Sequence, residues 1–132
     1  MNPLEFARVW AQTWSLAWPR KDADAIASLY APGASYRSHP FRMPKIGPGG
    51  AKEYVLGAFA EEDAIECWFA EPIAAGDRAA VEWWAVYRWE GKEWTLAGTS
   101  VLRFAADGMV AEHTDYWVMD EGRRLPAPGW GR

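Results

Sequence analysis

The residues best suited to chemistry lie near the C-terminal end of the chain, in the stretch His-Thr-Asp-Tyr-Trp at 113–117. Side chains alternate between the two faces of a strand, so His113, Asp115 and Trp117 are predicted to share one face. A carboxylate surrounded by tryptophan rings loses hydration, which favours its protonated form and lets it exchange protons at working pH. Asp115 is therefore the first candidate acid/base, and His113 is placed to orient it or to share its proton.

These residues also have ordinary interpretations. Asp115 at a rim would bond to His113 or to a backbone amide, and a histidine on a strand is commonly just hydrogen-bonded. Tyr36 and Ser38 share a face of an earlier strand and add two hydroxyl groups, although Tyr36 also fits a core ring whose hydroxyl is satisfied.

Tryptophan is the compositional anomaly, with ten residues spread over almost every segment. Wide aromatic rings can fill a wide core and cover a sheet face. They can equally line a cavity or a subunit interface. The sequence leaves both interpretations open.

The first part of the chain is predicted to be helical. The N-cap pattern at Asn2-Pro3 starts a helix that ends at Trp18-Pro19, and Asp22 caps a second helix that Pro32-Gly33 stops. A brief strand follows over 34–38, then a flexible, turn-rich rim over 39–50. The apolar spacing over 51–62 predicts a third helix whose acidic end faces water.

The rest of the chain is rich in aromatic and β-branched residues and predicts strands separated by hairpin turns, over 65–74, 79–89, 93–104 and 109–118. Helices at the start and antiparallel strands at the end indicate one α+β domain over 1–119. The Pro/Gly-rich tail over 120–132 is predicted to leave the sheet and to be loose, unless Trp130 tucks against the domain or a partner subunit.

Composition excludes several classes of function. A net charge of −4 and scattered Lys and Arg residues argue against nucleic-acid binding. The lone Cys67 cannot form an internal disulfide, and no Cys or His spacing indicates a metal site. The N-terminus has no signal-peptide pattern, and no apolar run is long enough to span a membrane, so we expect a cytoplasmic protein without a membrane partner.

Three motifs in order carry a family resemblance: Asp-Ala-Asp-Ala-Ile-Ala-Ser-Leu-Tyr-Ala-Pro-Gly-Ala-Ser-Tyr (22–36), Val-Glu-Trp-Trp (81–84) and Leu-Arg-Phe-Ala-Ala-Asp-Gly-Met-Val-Ala-Glu-His-Thr-Asp-Tyr-Trp (102–117). Together they resemble the SnoaL-like branch of the nuclear transport factor 2 superfamily. The resemblance implies a cone, in which a strongly curved mixed or antiparallel sheet and about three N-terminal helices on its concave face surround a pocket. It does not specify a function, because this scaffold hosts isomerases, cyclases, hydrolases and binding modules.

The resemblance also implies roles for residues. The run around Asp115 is similar to that of limonene epoxide hydrolases and SnoaL-type cyclases, in which the aspartate points into the cone and handles a proton. Tyr36 and Ser38 resemble the Tyr-x-Asn of the epoxide hydrolases, with the shorter Ser38 as a departure. His39 lies near the place of the catalytic aspartate of steroid isomerases, although a loop residue is ordinarily exposed.

Departures from the relatives narrow the chemistry. Trp83 and Ala85 stand where epoxide hydrolases have an Arg-x-Asp pair, and Trp14 and Ser100 stand where steroid isomerases form an oxyanion hole. Neither classical reaction is therefore expected. The residues predicted to bind a ligand are Trp14, His39, Phe59, Trp83, Ser100 and Trp117.

The sequence thus predicts a small cofactor-independent enzyme of the isomerase, cyclase or hydrolase type, or a degenerate relative of one. It would act on a hydrophobic, ring-containing molecule, with Asp115 as acid/base and Tyr36, Ser38 and His113 assisting. No metal is expected. One alternative is a binding protein that holds such a molecule unchanged. Another is an interaction module that dimerises through an exposed sheet face bearing Trp84, Trp89 and Trp94, and a homodimer through that face is expected.

Overall fold

A computed structural model describes all residues, Met1–Arg132. Three helices, α1 (Pro3–Arg20), α2 (Ala23–Ala27) and α3 (Gly47–Phe59), precede or interrupt the strands. The strands are β1 (Tyr30–Arg37), β2 (Lys45–Ile46), β3 (Asp63–Phe69), β4 (Ile73–Ala75), β5 (Arg78–Trp89), β6 (Lys92–Phe104) and β7 (Val110–Glu121). The predicted α+β class is confirmed.

The strands form one mixed, open sheet in the order β2-β1-β7-β6-β5-β3, with β4 beside β5. Strand β1 runs parallel to β7, and the other pairs are antiparallel. The helices pack against one face, here called the inner face, and the opposite side is the outer face. The core lies between the helices and the inner face, where most of the buried tryptophans are found.

Helix α1 presents a stripe of tryptophans to the sheet. Asn2 caps it by accepting the Glu5 N–H, and Trp10, Trp14 and Trp18 recur four residues apart on its buried side. The predicted end at Trp18-Pro19 is two residues short, because Pro19 is tolerated in the last turn and left-handed Lys21 (φ 55°) closes the helix. Pro19 has no N–H to give the Ser15 carbonyl, which instead accepts the Cys67 thiol at 3.7 Å.

The second helix is shorter and the first strand longer than predicted. Strand β1 begins at Tyr30, and Pro32-Gly33 lies inside it instead of stopping a helix. A register shift against β7 between Tyr30 and Ser35 accommodates this pair, since proline cannot donate to the ladder. Tyr30 is consequently a strand residue that points into the core.

The Pro/Gly-rich stretch predicted as a flexible rim contains regular secondary structure. It contains β2 and the first turn of α3, which begins at Gly47. Gly47 has φ +70°, and a Cβ there would lie 2.6 Å from the Pro32 carbonyl oxygen, so only glycine fits. The predicted strand over 65–74 is also two strands, because Pro72 lies in the break between β3 and β4.

The long strands β5, β6 and β7 confirm the predicted hairpins and add one irregularity. A bulge opposite Arg103/Phe104 pairs Phe104 with Val110 and Arg103 with Glu112. Simple alternation along β7 would put Val110 on the same face as Glu112, but because of the bulge Val110 and His113 are both buried, while Glu112 is exposed.

The C-terminal tail, residues 122–132, crosses the outer face and is held at both ends. Thr95 donates to the Gly122 carbonyl at 2.7 Å and accepts the Arg124 N–H at 3.0 Å. At the far end the Glu71 N–H donates to the Gly131 carbonyl at 2.8 Å. The predicted tail boundary at 120 is two residues early, since β7 pairs with β6 through Glu121.

None of the three helices combines the length and the apolar character needed to cross a bilayer.

Candidate functional site

A cavity of about 520 Å³ lies between the helices and the inner face of the sheet. Aromatic side chains cluster around it: its lining includes six tryptophans, three tyrosines and two phenylalanines. Helix α1 contributes one wall through Trp10, Trp14 and Trp18, and strands β5 to β7 contribute the opposite one. The period of α1 and the alternation of the strands therefore direct the large rings to the same space.

A chain of hydrogen bonds leads from α1 to Asp115. Trp10 Nε1 donates to Tyr30 Oη at 3.3 Å, and Tyr30 Oη lies 2.7 Å from His113 Nδ1. His113 Nε2 in turn lies 2.5 Å from Asp115 Oδ1. His113 is 1% exposed and Asp115 8%, so the chain is shielded from bulk water.

These contacts fit one neutral tautomer of the histidine. In it Tyr30 accepts the Trp10 N–H and directs its own O–H to His113 Nδ1. His113 then carries its proton on Nε2 and donates it to Asp115. Burial raises the pKa of Tyr30, which keeps its phenol protonated for this role.

A second donor reaches the same carboxylate oxygen from β6. Ser100 Oγ donates to Asp115 Oδ1 at 2.6 Å and accepts the Trp83 N–H at 2.9 Å. Strand register explains the contact, because Ser100 is directly opposite both Val81 and Asp115 in the sheet. Asp115 Oδ1 thus receives two hydrogen bonds, whereas Oδ2 receives none from the protein and Asp115 lines the cavity.

Tyr36 covers the histidine and brings a free hydroxyl to the site. Its ring centroid lies 4.1 Å from that of His113 with a tilt of 38°. Burial, followed by the nearby charge of Asp115, raises the pKa of Tyr36 well above its ordinary value. Its hydroxyl makes no hydrogen bond to the protein, and Tyr36 lines the cavity, so this O–H is available to a bound molecule.

Most of the residues singled out from the sequence surround this one cavity. Asp115, His113 and Tyr36 line it, as do the predicted ligand-binding residues Trp14, Phe59, Trp83, Ser100 and Trp117. The Ser100 O–H is directed to Asp115. The Trp14 N–H is buried and has no partner.

Ser38 and His39 are not among the residues that line the cavity. Ser38 Oγ accepts Arg42 Nη1 at 3.2 Å, and its carbonyl accepts the Trp117 N–H at 2.7 Å, which holds the Trp117 ring in place. His39 Nδ1 accepts the Phe41 N–H at 3.3 Å, and its ring stands edge-on to Trp117. Strand β1 ends at Arg37, so both residues belong to the turn beyond it.

Among the residues that sequence reasoning missed are Tyr30, which supports the site, and Glu62, which lines the cavity. Tyr30 was assigned to a helix, and its contact with His113 depends on the long-range pairing of β1 with β7. Glu62 was expected to face water, but it is 8% exposed, lines the cavity and accepts the Trp18 N–H at 2.8 Å. The helical phase of Val55, Phe59 and Glu62, at i, i+4 and i+7, is a signal that indicates its inward direction.

The site has the components of metal-free proton transfer. A carboxylate with one oxygen fixed by two donors and the other open can accept or return a proton within reach of a bound molecule. No group of three or more His, Cys, Asp or Glu side chains lies close enough together to hold a metal ion.

The fold is that of the nuclear transport factor 2-like class. Within it, the SnoaL-like domain family matches residues 11–113, and the chain belongs to that family. No curated protein matches the sequence.

Solved structures with this fold are only distantly related in sequence. RV0760c from Mycobacterium tuberculosis is 13% identical with a TM-score of 0.77, over 92% of this chain and 98% of that one. SalBIII, an epoxide hydrolase/cyclase-like enzyme of pyran ring formation in salinomycin, is 13% identical with a TM-score of 0.75, over 91% and 95%. A ketosteroid isomerase-like protein from Catenulispora acidiphila, in complex with trimethylamine, is 17% identical with a TM-score of 0.72, over 81% and 83%. At these identities the likeness defines the fold alone.

Proposed function

We propose that the protein is a cofactor-independent acid/base enzyme that acts on a hydrophobic, ring-containing small molecule in this cavity. The observation that carries the proposal is the asymmetry of Asp115: Oδ1 is held by His113 and Ser100, and Oδ2 is open to an aromatic cavity. Such a carboxylate is fixed in orientation but free to exchange a proton with a ligand.

In the proposed reaction, Asp115 Oδ2 takes a proton from the bound molecule, and the electron pair left behind moves onto an oxygen of that molecule. The Tyr36 O–H donates a hydrogen bond to this oxygen. Asp115 then returns the proton to a different atom of the ligand, so that the net change is a rearrangement and the enzyme is regenerated. His113 and Ser100 hold Asp115 in place throughout.

Size and lining support a ligand of one or two rings. A volume of about 520 Å³ lies within the usual range for small-molecule sites, and the aromatic walls offer stacking surface with few competing polar groups. The arrangement differs from epoxide hydrolases, since Trp83 and Ala85 supply no Arg-x-Asp pair here.

Proton exchange on a simple cyclic ketone tests the proposal without knowledge of the natural substrate. The bicyclic ketone 2-tetralone has acidic C–H groups next to its carbonyl, and their replacement by deuterium in D₂O is measured by NMR. We expect the wild-type protein to accelerate this exchange and Asp115→Asn to lose roughly 100-fold of the acceleration or more. Asp120→Asn, an exposed position on the same strand, is the matched control and should exchange like wild type.

The binding-protein alternative gives a different result. In that case 2-tetralone quenches tryptophan fluorescence in both wild type and Asp115→Asn, while the exchange rate in both equals that of buffer. Equal acceleration by wild type and Asp115→Asn would remove Asp115 from the mechanism.

A further inference from the structure

Glu62 is a buried carboxylate that the proposed proton transfer does not use. It follows α3, is 8% exposed, and lines the same cavity as Asp115. Oε1 accepts the Trp18 N–H at 2.8 Å, and Oε2 accepts no hydrogen bond from the protein. A buried carboxylate with a single neutral donor is costly, so its presence needs an explanation.

No basic side chain of the protein forms an ion pair with Glu62. Lys21, at the end of α1, approaches it but lies 3.5 Å from Asp63. Two basic residues line the cavity, and both are otherwise engaged: Lys45 pairs with Glu53 at 2.9 Å, and Arg42 donates to Ser38 and lies over Trp117. The negative charge at this end of the cavity is therefore left for a ligand.

The surroundings of Glu62 are aromatic. Trp18 holds its carboxylate, and the Trp18 ring meets the Trp83 ring edge-on at a centroid distance of 5.7 Å. Tyr87 also lines the cavity, and the charge of Glu62 adds to burial in raising the pKa of this tyrosine. A carboxylate among the faces and edges of indole and phenol rings is the environment that organic ammonium groups prefer, because the rings and the acid both attract a cation.

We propose that the Glu62 end of the cavity binds a positively charged nitrogen, so that the ligand is an apolar ring compound carrying an organic ammonium group. The proposal rests on the proposed function in one respect, namely that the ligand occupies this cavity. A metal ion is disfavoured at the same place because the neighbours of Glu62 are aromatic rings and not further oxygen or nitrogen ligands.

Electrostatics give this site a characteristic pH dependence. Burial raises the pKa of Glu62 to about 7, and the neighbouring Glu61 raises it further, while the Trp18 N–H and Lys21 lower it. Tyr87 and Tyr54, which also feel the charge of Glu62, have raised pKa values and remain neutral. A bound cation stabilises the ionised form of Glu62, so below about pH 7 its binding must release a proton, and affinity should rise as the pH increases.

A pair of isosteric probes measures the contribution of charge alone. Phenyltrimethylammonium and tert-butylbenzene have the same shape and differ by a positive nitrogen in place of a carbon. Binding of each is followed by tryptophan fluorescence and calorimetry at about pH 6 and pH 8. We expect the cation to bind wild type more tightly than the neutral probe by on the order of tenfold or more, with the larger advantage at the higher pH.

Two variants locate the effect. Glu62→Gln keeps an oxygen for the Trp18 N–H and should lose the preference for the cation and its pH dependence, while binding tert-butylbenzene as before. Glu82→Gln makes the same change of net charge at an exposed position on β5 that does not line the cavity, and should keep both properties. Equal affinity of wild type for the two probes, or equal effects of the two variants, would overturn the proposal.

These outcomes are separate from those of the proton-exchange test. Failure of Asp115→Asn to slow exchange leaves the charge preference of the cavity measurable. Loss of the charge preference leaves the role of Asp115 intact.

Discussion

At the scale of single residues, the site depends on two series of hydrogen bonds that meet at one carboxylate oxygen. Two N–H donors, on Trp10 and Trp83, start two relays that both end on Asp115 Oδ1. Each hydroxyl along the way accepts one bond and donates one, so the histidine and the aspartate are held without a competing arrangement.

Removal of the serine hydroxyl should therefore weaken the fold as well as the site. Ser100→Ala leaves the Trp83 N–H buried without a partner and takes one donor from Asp115. We expect the free energy of unfolding in urea to fall by about 1–3 kcal/mol. Thr99 is the matched control, because it lies one residue away on the other face of β6 and its side chain makes no hydrogen bond. Thr99→Ala should lower the free energy of unfolding far less than Ser100→Ala. Equal losses in the two variants would contradict the relay.

Glu62 should make stability depend on pH in the sense opposite to that of an ordinary surface acid. Its folded-state pKa of about 7 lies above its unfolded value of 4.5, so the folded state binds more protons between these values and stability falls as the pH rises through them. Compared with Glu62→Gln, wild type should lose on the order of 3 kcal/mol between about pH 4.5 and pH 8. Urea denaturation of both proteins at the two pH values measures this difference, and parallel curves would be inconsistent with a buried acid.

The pairing of His113 with Asp115 could be predicted from the sequence because alternation along one strand is local. The contribution of Tyr30 could not, since it depends on the register of β1 against β7 and on a shift around Pro32-Gly33 that no local pattern reveals. For Ser38 a local pattern is present in the sequence, but the structure directs the side chain elsewhere. Ser38 keeps the spacing expected from relatives, yet β1 ends one residue before it and its side chain contacts Arg42.

At the scale of elements, one glycine in β6 leaves room for two of the aromatic rings that line the cavity. Gly98 is opposite Trp83 on one side and Trp117 on the other. A Cβ at this position would lie 2.7 Å from the Tyr116 carbonyl oxygen, 2.8 Å from Trp117 Cβ and 2.9 Å from Trp83 Cζ2. The two rings therefore close over the strand only because this position has no side chain.

Gly98→Ala should destabilise the protein by roughly 1–3 kcal/mol through overpacking, as measured by thermal or urea denaturation. Gly57→Ala is the matched control, because nothing lies within 4 Å of a Cβ at that position in α3. Alanine is the better helix former, so this control should gain about 0.5–1 kcal/mol. If both substitutions changed the free energy of unfolding in the same direction, the close contacts around Gly98 would not be what excludes a side chain there.

The elements themselves were largely predictable, with errors where proline and glycine occur inside regular structure. Pro19 is accepted in the last turn of α1, Pro32-Gly33 at a bulged part of β1, and Pro48 in the first turn of α3. The first two override a local signal that ordinarily ends an element, whereas Pro48 follows the usual preference for proline in the first turn of a helix.

At the scale of the whole molecule, the outer face of the sheet is divided between the tail and solvent. Arg123 pairs with Glu66 on β3, while Tyr116 and Val118 on β7 remain 50% and 71% exposed. Of the tryptophans expected on this face, Trp89 lines the cavity instead, and Trp94 is opposite Tyr87, another lining residue. Trp84 follows the inward-facing Trp83 and is therefore directed to the outer face, opposite Trp68. We expect the predicted homodimer contact to include this face and the exposed residues of β7.

We expect the protein to dimerise through this surface, and Val118→Asp should shift it to monomer because a charge would be buried at the contact. Sedimentation at high protein concentration measures the change. Leu16→Asp, an equally severe change at a 54% exposed position on α1, should leave the dimer intact. A wild-type monomer, or equal effects of the two variants, would rule out this interface.

The central claim is that Asp115 handles a proton on a molecule held by the aromatic cavity, and the most direct test separates chemistry from binding in one variant. Deuterium exchange into 2-tetralone at saturating ketone gives the chemical step, and tryptophan quenching gives the dissociation constant. For Asp115→Asn we predict a saturated exchange rate lower by roughly 100-fold or more, with a dissociation constant within about threefold of wild type. A variant that binds more weakly but exchanges at the wild-type rate when saturated would contradict the claim.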